Sequence, residues 1–397
     1  MSLTMLCIAT YEKGHEFLRE CDRQGCRVLL LTADRLRDAA WPREAIDDTY
    51  YLQSDLPRDD LLKGVSFVAR TEQIDRIVAL DDFDVETAAL LREHLRVPGM
   101  GDTTARYFRD KLAMRVRARS AGILVPEFVH VLNYDRIREF AERVPPPWVL
   151  KPRSQAAAIG IKMIPDRASL WPAIDDLGDR QSFYVLEQFI TGDIFHVDSI
   201  VVDRRVVFAP VHRYGHPPMA IAHHGGIFTT RTLARQSDEA QPFERLNAQV
   251  LDALGLVRGV THTEFILGRD DGRLYFLETS ARVGGAYIVD VIEAATGVNL
   301  WREWARVEIA GEKGIYTPPP DRGGFAGIVL SLARQETPDT SGYTDPEIIR
   351  RIDKHHHAGL IVASLDPARV ASLLLDYARR FIDDFMAVEP VPDKPTA

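Results

Sequence analysis

The stretch Thr261-His262-Thr263-Glu264-Phe265-Ile266-Leu267, Gly268-Arg269-Asp270-Asp271-Gly272-Arg273, Leu274-Tyr275-Phe276-Leu277-Glu278 decides how this chain is read. Two β-prone runs flank an Asp-Asp-Gly turn signal, so a β-hairpin is expected. A three-residue loop with Gly272 in the left-handed conformation would centre the pairing on Asp271 and set Glu264 directly opposite Glu278. Opposed residues have Cβ atoms ~4.5–5.5 Å apart, where two ionised carboxylates repel unless a cation lies between them. Magnesium suits such a pair, because it takes a few carboxylates together with phosphate oxygens. A two-residue turn would place the carboxylates on opposite faces, and two exposed glutamates on an edge hairpin would give the same sequence pattern.

Beyond Glu278 the chain continues Thr279-Ser280-Ala281-Arg282-Val283-Gly284-Gly285. A guanidinium beside a metal-bound phosphate suits the charge of a transferring phosphoryl group or an acyl phosphate. In these residues the chain resembles the ATP-grasp superfamily, in which two acidic residues on adjacent strands hold magnesium and the second opens a Glu-x-Asn-x-Arg pattern. The resemblance implies Glu264, Glu278 and Ser280 as metal ligands, for magnesium or for manganese as a substitute. It also implies catalytic roles for Arg282, Gly284 and Gly285. Ser280 stands where the pattern has asparagine and has a shorter reach.

The resemblance extends over residues 95 to 300 in the expected order. Lys111, after Asp110, and Lys151, in Val149-Leu150-Lys151-Pro152-Arg153, look like the two phosphate-binding lysines of ATP. The small-residue run from Ser154 to Gly160 resembles the loop whose backbone N–H groups close over phosphates. Glu187, Gln188 and Ile190, followed by Gly192, resemble the strand that borders adenine. His196, on one strand face with Asp198, is by the same resemblance a candidate for the ribose hydroxyls, and a structural histidine would look alike.

Working outward, Met5 to Thr10, Glu16 to Gln24 and Cys26 to Leu31 read as a β-α-β unit. The continuous run Val28 to Leu31 suits a parallel sheet covered on both faces. Ile74 to Leu80 reads as a further strand and Val85 to Leu95 as a helix. The expected fold class is therefore α/β and α+β multidomain, an ATP-grasp fold with an N-terminal parallel α/β domain. Its expected parts are residues 1–100, a linking helix over 101–121, a lid subdomain over 122–190 and a catalytic domain over 191–397. Within the lid, Tyr134 to Arg143 reads as a helix, and Trp148 to Lys151 and Tyr184 to Phe189 as strands. A closing helix is expected from Pro367 to about Phe385, then a frayed tail from Glu389.

Composition bounds the partners. With 58 acidic and 49 basic residues the formal charge is −9, which repels phosphodiester backbones and anionic lipid, so neither nucleic acid nor a membrane is an expected partner. Cys7, Cys21 and Cys26 cannot all pair within one chain and lack zinc-like spacing, which fits a reducing, cytoplasmic setting. Five of the 12 histidines lie between residues 196 and 224, and His223 and His224 are expected to line a polar substrate pocket. The adjacent run His355-His356-His357 has alternating faces and no evident acidic partner, and is read as structural.

By resemblance the closest activity is that of L-amino-acid ligases, which join two amino acids through an acyl phosphate and release ADP and phosphate. The expected partners are thus a small-molecule carboxylate and an amine, with a homodimer left open. Biotin-carboxylase-like chemistry on bicarbonate, or a regulatory protein that binds ATP without ligating anything, are the alternatives.

Overall fold

The computed structural model describes residues 2–53, 56–156, 159–219, 221, 225–311 and 314–388. The tail expected to fray and the two substrate histidines, His223 and His224, lie outside the described residues.

The first sheet is parallel and holds β1 (Thr4–Ala9), β2 (Arg27–Ala33), β3 (Asp48–Leu52) and β4 (Arg76–Ala79) in the order β3-β2-β1-β4. Met5 and Cys7 pack into one core while Leu6 and Ile8 pack into another, so both faces are covered and no polar alternation appears in the sequence. Strand β3 escapes sequence reading because it is a half-exposed edge with only Leu52 and two tyrosines as apolar material. Chain order reverses at β1, so the carboxyl ends of β1 and β4 border the crevice where open α/β sheets place ligands. Asp81, Asp82 and Asp84 follow β4 at this crevice, and Thr10, just after β1, donates its hydroxyl to Asp84 (2.8 Å).

The expected single linking helix is two, Asp102–Arg106 and Lys111–Ser120. Asp110 causes the restart by capping the second helix, accepting from the N–H of Leu112 at 3.0 Å and of Ala113 at 3.4 Å. Lys111 thereby becomes the first residue of a helix, where the N-terminal dipole end also favours anions.

The second sheet is antiparallel: β5 (Phe128–His130), β6 (Trp148–Pro152), β7 (Lys162–Ile164) and β8 (Tyr184–Gln188), in the order β5-β8-β6-β7. Ile137 and Phe140 of the helix Tyr134–Arg143 pack on Trp148, Leu150 and Leu186, a core of its own for this part of the chain.

The third sheet has nine strands: β9 (Gly192–Val202), β10 (Arg205–Phe208), β11 (Val211–Tyr214), β12 (Phe228–Thr232), β13 (Gly259–Gly268), β14 (Leu274–Ser280), β15 (Phe325–Leu332), β16 (Ile348–Arg351) and β17 (His357–Ser364). Its order is β14-β13-β9-β11-β12-β15-β17-β16, with β10 paired to β9, and the helix Pro367–Asp384 packs on β15 and β17. The exposed His355 does have an acidic neighbour, Glu336 at 3.5 Å, brought there by the path of the chain. All three cysteines are buried and unpaired. Among the described residues no helix is long and apolar enough to cross a membrane.

Candidate active site

The hairpin leaves its turn in a register that would separate the two glutamates. Gly272 is left-handed (φ 64°) as expected, yet Leu267 pairs with Leu274 and Phe265 with Phe276. Continued, that register would set Glu264 opposite Leu277. A β-bulge at Leu277 inserts one residue, and beyond it Glu264 pairs with Glu278 and His262 with Ser280. The carboxylates are opposed as expected, but the bulge achieves it, not the turn.

Each carboxylate has its own partners. The Tyr214 hydroxyl donates to Glu264 Oε1 (2.9 Å). Lys111 Nζ lies 3.0 Å from Glu278 Oε2. Burial alone would raise the Glu278 pKa, but the Lys111 and Lys151 ammonium groups override it and hold the carboxyl down at about 2.

On the cationic side, the loop after β6 is fastened to the start of the Lys111 helix. Lys111 donates through its backbone N–H to Arg153 O (2.8 Å) and through Nζ to Gln155 O (2.7 Å), and Arg109 donates to Ser154 O (2.6 Å). The Ser154 side chain is exposed beside this joint. Gly160 is also exposed and left-handed (φ 70°), and a Cβ there would meet Pro152 at 2.9 Å, so glycine is required at this position.

Lys151 is buried, with Nζ 2.6 Å from Glu187 Oε2, and Arg115 Nε lies 2.9 Å from the other oxygen. Burial pushes the Lys151 ammonium down to about 8, against the opposing pull of Glu187. Two expectations change here. The Glu187 carboxylate is enclosed between Arg115 and Lys151, so it is not available to read a base. Gln188 and Ile190 remain half-buried where β8 leaves the sheet. His196 is fully buried, with Nδ1 on Asp198 (2.6 Å) and Nε2 on Thr230 (2.8 Å), which leaves no ring nitrogen for a ribose hydroxyl.

Arg282 does not stand free beside the glutamates. Its Nε and Nη2 donate to Asp82 Oδ2 at 3.0 and 2.7 Å, and Nη1 donates to the carbonyl of Val283 (2.7 Å). The Ser280 hydroxyl donates to the same Asp82 oxygen (3.2 Å), so the residue expected at a metal position is engaged elsewhere. Burial of Asp82 would raise its pKa, but Arg282 and Arg109 hold it below the ordinary carboxylate value. Gly284 follows, where a Cβ would lie 3.0 Å from both Asp198 Oδ1 and His262 Nδ1. Any side chain at Gly284 would displace those groups. Gly285 is exposed and its carbonyl accepts from the N–H of Ile288, at the start of the helix Ile288–Thr296.

Sequence reasoning missed Asp82, Arg109 and Arg115. A signal existed for Asp82, since an acidic cluster directly after a strand of a parallel sheet sits at the ligand edge. Arg115 gave none, as one arginine among three on the helix Lys111–Ser120.

No family model matches the chain. The chain is similar to an L-amino acid ligase from Bacillus licheniformis, a solved structure that superposes with a TM-score of 0.75 at 18% identity, covering 98% of each chain. An N5-carboxyaminoimidazole synthetase from Staphylococcus aureus, solved with ADP, superposes with a TM-score of 0.72 at 15% identity, over 95% of this chain and 97% of that one. The chain has the ATP-grasp fold. In this ATP-grasp fold the parallel sheet of β1–β4 precedes the two antiparallel sheets, and the opposed Glu264 and Glu278 lie on the hairpin of the larger one. Among relatives in sequence, an L-arginine-specific L-amino acid ligase of Bacillus subtilis is 24% identical over 280 residues, 68% of this chain and 67% of that protein. The next relatives are spanned over 58% of their length.

Proposed function

We propose that this chain is an ADP-forming carboxylate–amine ligase that activates a carboxylate, an amino acid in the first instance, as an acyl phosphate. One observation carries the reading: Lys111, Lys151 and Glu278 converge on one place, with Glu264 opposed to Glu278 across the strand pair. Two lysines and two carboxylates in that arrangement suit a triphosphate and its divalent cation. The similarity to L-amino acid ligases supports the choice of acceptor.

Magnesium would be held by Glu264 and Glu278, a hard oxygen donor set, and would supply charge neutralisation at the phosphates. Lys111 and Lys151 would exchange their present partners, Gln155 O, Glu278 and Glu187, for phosphate oxygens. The substrate carboxylate oxygen attacks the γ-phosphorus and ADP leaves. The amine then attacks the acyl carbon, phosphate leaves, and an amide remains. No protein nucleophile is needed, so the residues act by positioning and charge. ADP release measured across a matrix of amino acids and other carboxylates, with and without bicarbonate, tests the reading. Release that requires bicarbonate and biotin, or no release with any carboxylate despite ATP binding, would overturn it.

Lys151→Ala is expected to weaken ATP binding by roughly 10–100-fold, the scale of one hydrogen bond to a charged group, while circular dichroism stays unchanged. Unaltered affinity in a folded variant would remove Lys151 from the site. Peptides spanning residues 148–156 are expected to exchange amide hydrogen more slowly with magnesium and ATP, because nucleotide would be covered by the loop that Arg109 and Lys111 already anchor. Equal exchange at saturating nucleotide would contradict this placement.

A further inference from the structure

The two opposed carboxylates are held by different kinds of partner. Glu278 faces Lys111 Nζ at 3.0 Å, a cation that phosphate oxygens would also attract. Glu264 is held instead by a neutral hydroxyl, that of Tyr214, at 2.9 Å. The hydroxyl comes from outside the hairpin: in the order β14-β13-β9-β11, Tyr214 on β11 reaches across β9 to a side chain on β13.

Tyr214 is fixed on several sides. It is 6% exposed, with its ring against His196 and Phe228 at centroid distances of 4.6 and 5.6 Å. Behind it runs a chain of buried side chains that bond one another. Thr230 Oγ1 meets His196 Nε2 (2.8 Å), His196 Nδ1 meets Asp198 Oδ2 (2.6 Å), and Asp198 Oδ1 meets His262 Nδ1 (2.9 Å). The other nitrogen of His262, Nε2, then lies 3.4 Å from the Tyr214 oxygen and 3.5 Å from Glu264 Oε1. Both contacts to the Glu264 carboxylate fall on Oε1, and among the described residues no hydrogen bond or ion pair reaches Oε2. A free glutamate side chain loses rotamer entropy when a ligand fixes it. Here much of that loss is taken before any ion arrives.

We infer that Tyr214 is a positioning residue for the divalent cation: its hydroxyl holds Glu264 by Oε1, so that the carboxylate presents Oε2 alone, and His262, braced by Asp198, backs the hydroxyl. The inference rests on the reading of Glu264 and Glu278 as the magnesium–ATP pair. One oxygen per carboxylate suits magnesium, which demands near-octahedral geometry, whereas calcium takes more oxygens and accepts both from a single carboxylate. Tyr214 thus acts on the choice of ion as well as on its affinity.

Tyr214→Phe keeps the ring and removes only the hydroxyl. Binding of a nonhydrolysable ATP analogue to the full-length chain is measured by calorimetry in EDTA, in saturating magnesium and in saturating calcium, for the parent, Tyr214→Phe and Glu264→Gln, with circular dichroism as the fold control. The parent should bind more tightly with magnesium than in EDTA or with calcium. Tyr214→Phe should lose roughly tenfold of the magnesium gain, the low end for a group that holds a metal ligand, keep its affinity in EDTA, and prefer magnesium over calcium less than the parent does. A merely structural tyrosine would change affinity equally in all three conditions, and that result, or an unchanged magnesium gain in Tyr214→Phe, would overturn the inference. Glu264→Gln separates the two ways of failing. A magnesium gain lost there but kept in Tyr214→Phe sinks the role of Tyr214 alone, whereas a gain kept in both variants removes Glu264 from the metal site and the inference with it. A Tyr214→Phe chain that does not fold would make the hydroxyl a structural group and count against the inference as well.

Discussion

Arg282→Ala is expected to lower turnover by roughly 10²–10³-fold, the effect of removing one preorganised stabiliser of developing charge, while substantial magnesium–ATP binding remains. The Arg282 side chain is 17% exposed at the crevice edge of the parallel sheet, and Asp82 and the Val283 carbonyl fix all three of its nitrogens. It is thus oriented before substrate arrives, which is what makes such a group effective. Glu278→Gln should behave differently and impair every ATP-dependent step, including slow hydrolysis without acceptor, because it removes a carboxylate that faces both lysines. Asp82→Ala should cost less than Arg282→Ala, since the guanidinium stays but loses its anchor. ATP affinity and ADP release on the same folded variants separate these outcomes. If Arg282→Ala abolishes ATP binding while turnover per bound ATP stays normal, the residue belongs to the nucleotide site and its acyl-phosphate role is wrong.

Glu187→Leu is expected to destabilise the nucleotide-free protein by about 3–5 kcal/mol, the usual consequence of removing one partner from a buried ion group. Arg115 and Lys151 would be left as two buried cations on either side of an apolar residue. Denaturant unfolding should show the loss, and replacing Lys151 with methionine in the same variant should recover part of it. Saturating magnesium and ATP should protect Glu187→Leu more than the parent, because phosphate gives Lys151 a new counter-charge. A loss below about 1 kcal/mol, the scale of an exposed pair, would show that water reaches the group. The same lysine sets a sign with pH. Its folded pKa, about 8, lies below the ordinary 10.5, so between these values the unfolded chain holds more protons. This contribution to stability therefore rises with pH across that window, is complete above 10.5 and is lost as pH falls through 8.

Local pattern was enough for much of the fold. The helices Val85–Leu95 and Tyr134–Arg143 have the bounds that their apolar spacing and flanking residues indicate. The buried runs of β1 and β2, the hairpin at Asp271-Gly272 and the order of Lys111, Lys151, Glu264, Glu278 and Arg282 were also legible, because period and turn chemistry act over a few residues. Glu264 came to face Glu278 for a reason that sequence did not carry, the bulge at Leu277, which depends on how β13 pairs with β9 and β14 together. Other decisions needed partners far along the chain. Asp82 holds Arg282 across 200 residues, and Arg115 takes a Glu187 oxygen across 72. His196 lost its expected role partly for the same reason: Asp198 takes one ring nitrogen from two residues away on β9, but Thr230 reaches the other only when β9, β11 and β12 assemble. Sequence by itself determined which chemical groups were present and on which local face each lay; the tertiary structure decided which of them meet, because a buried charge is satisfied by whichever opposite group the packed sheets bring within reach.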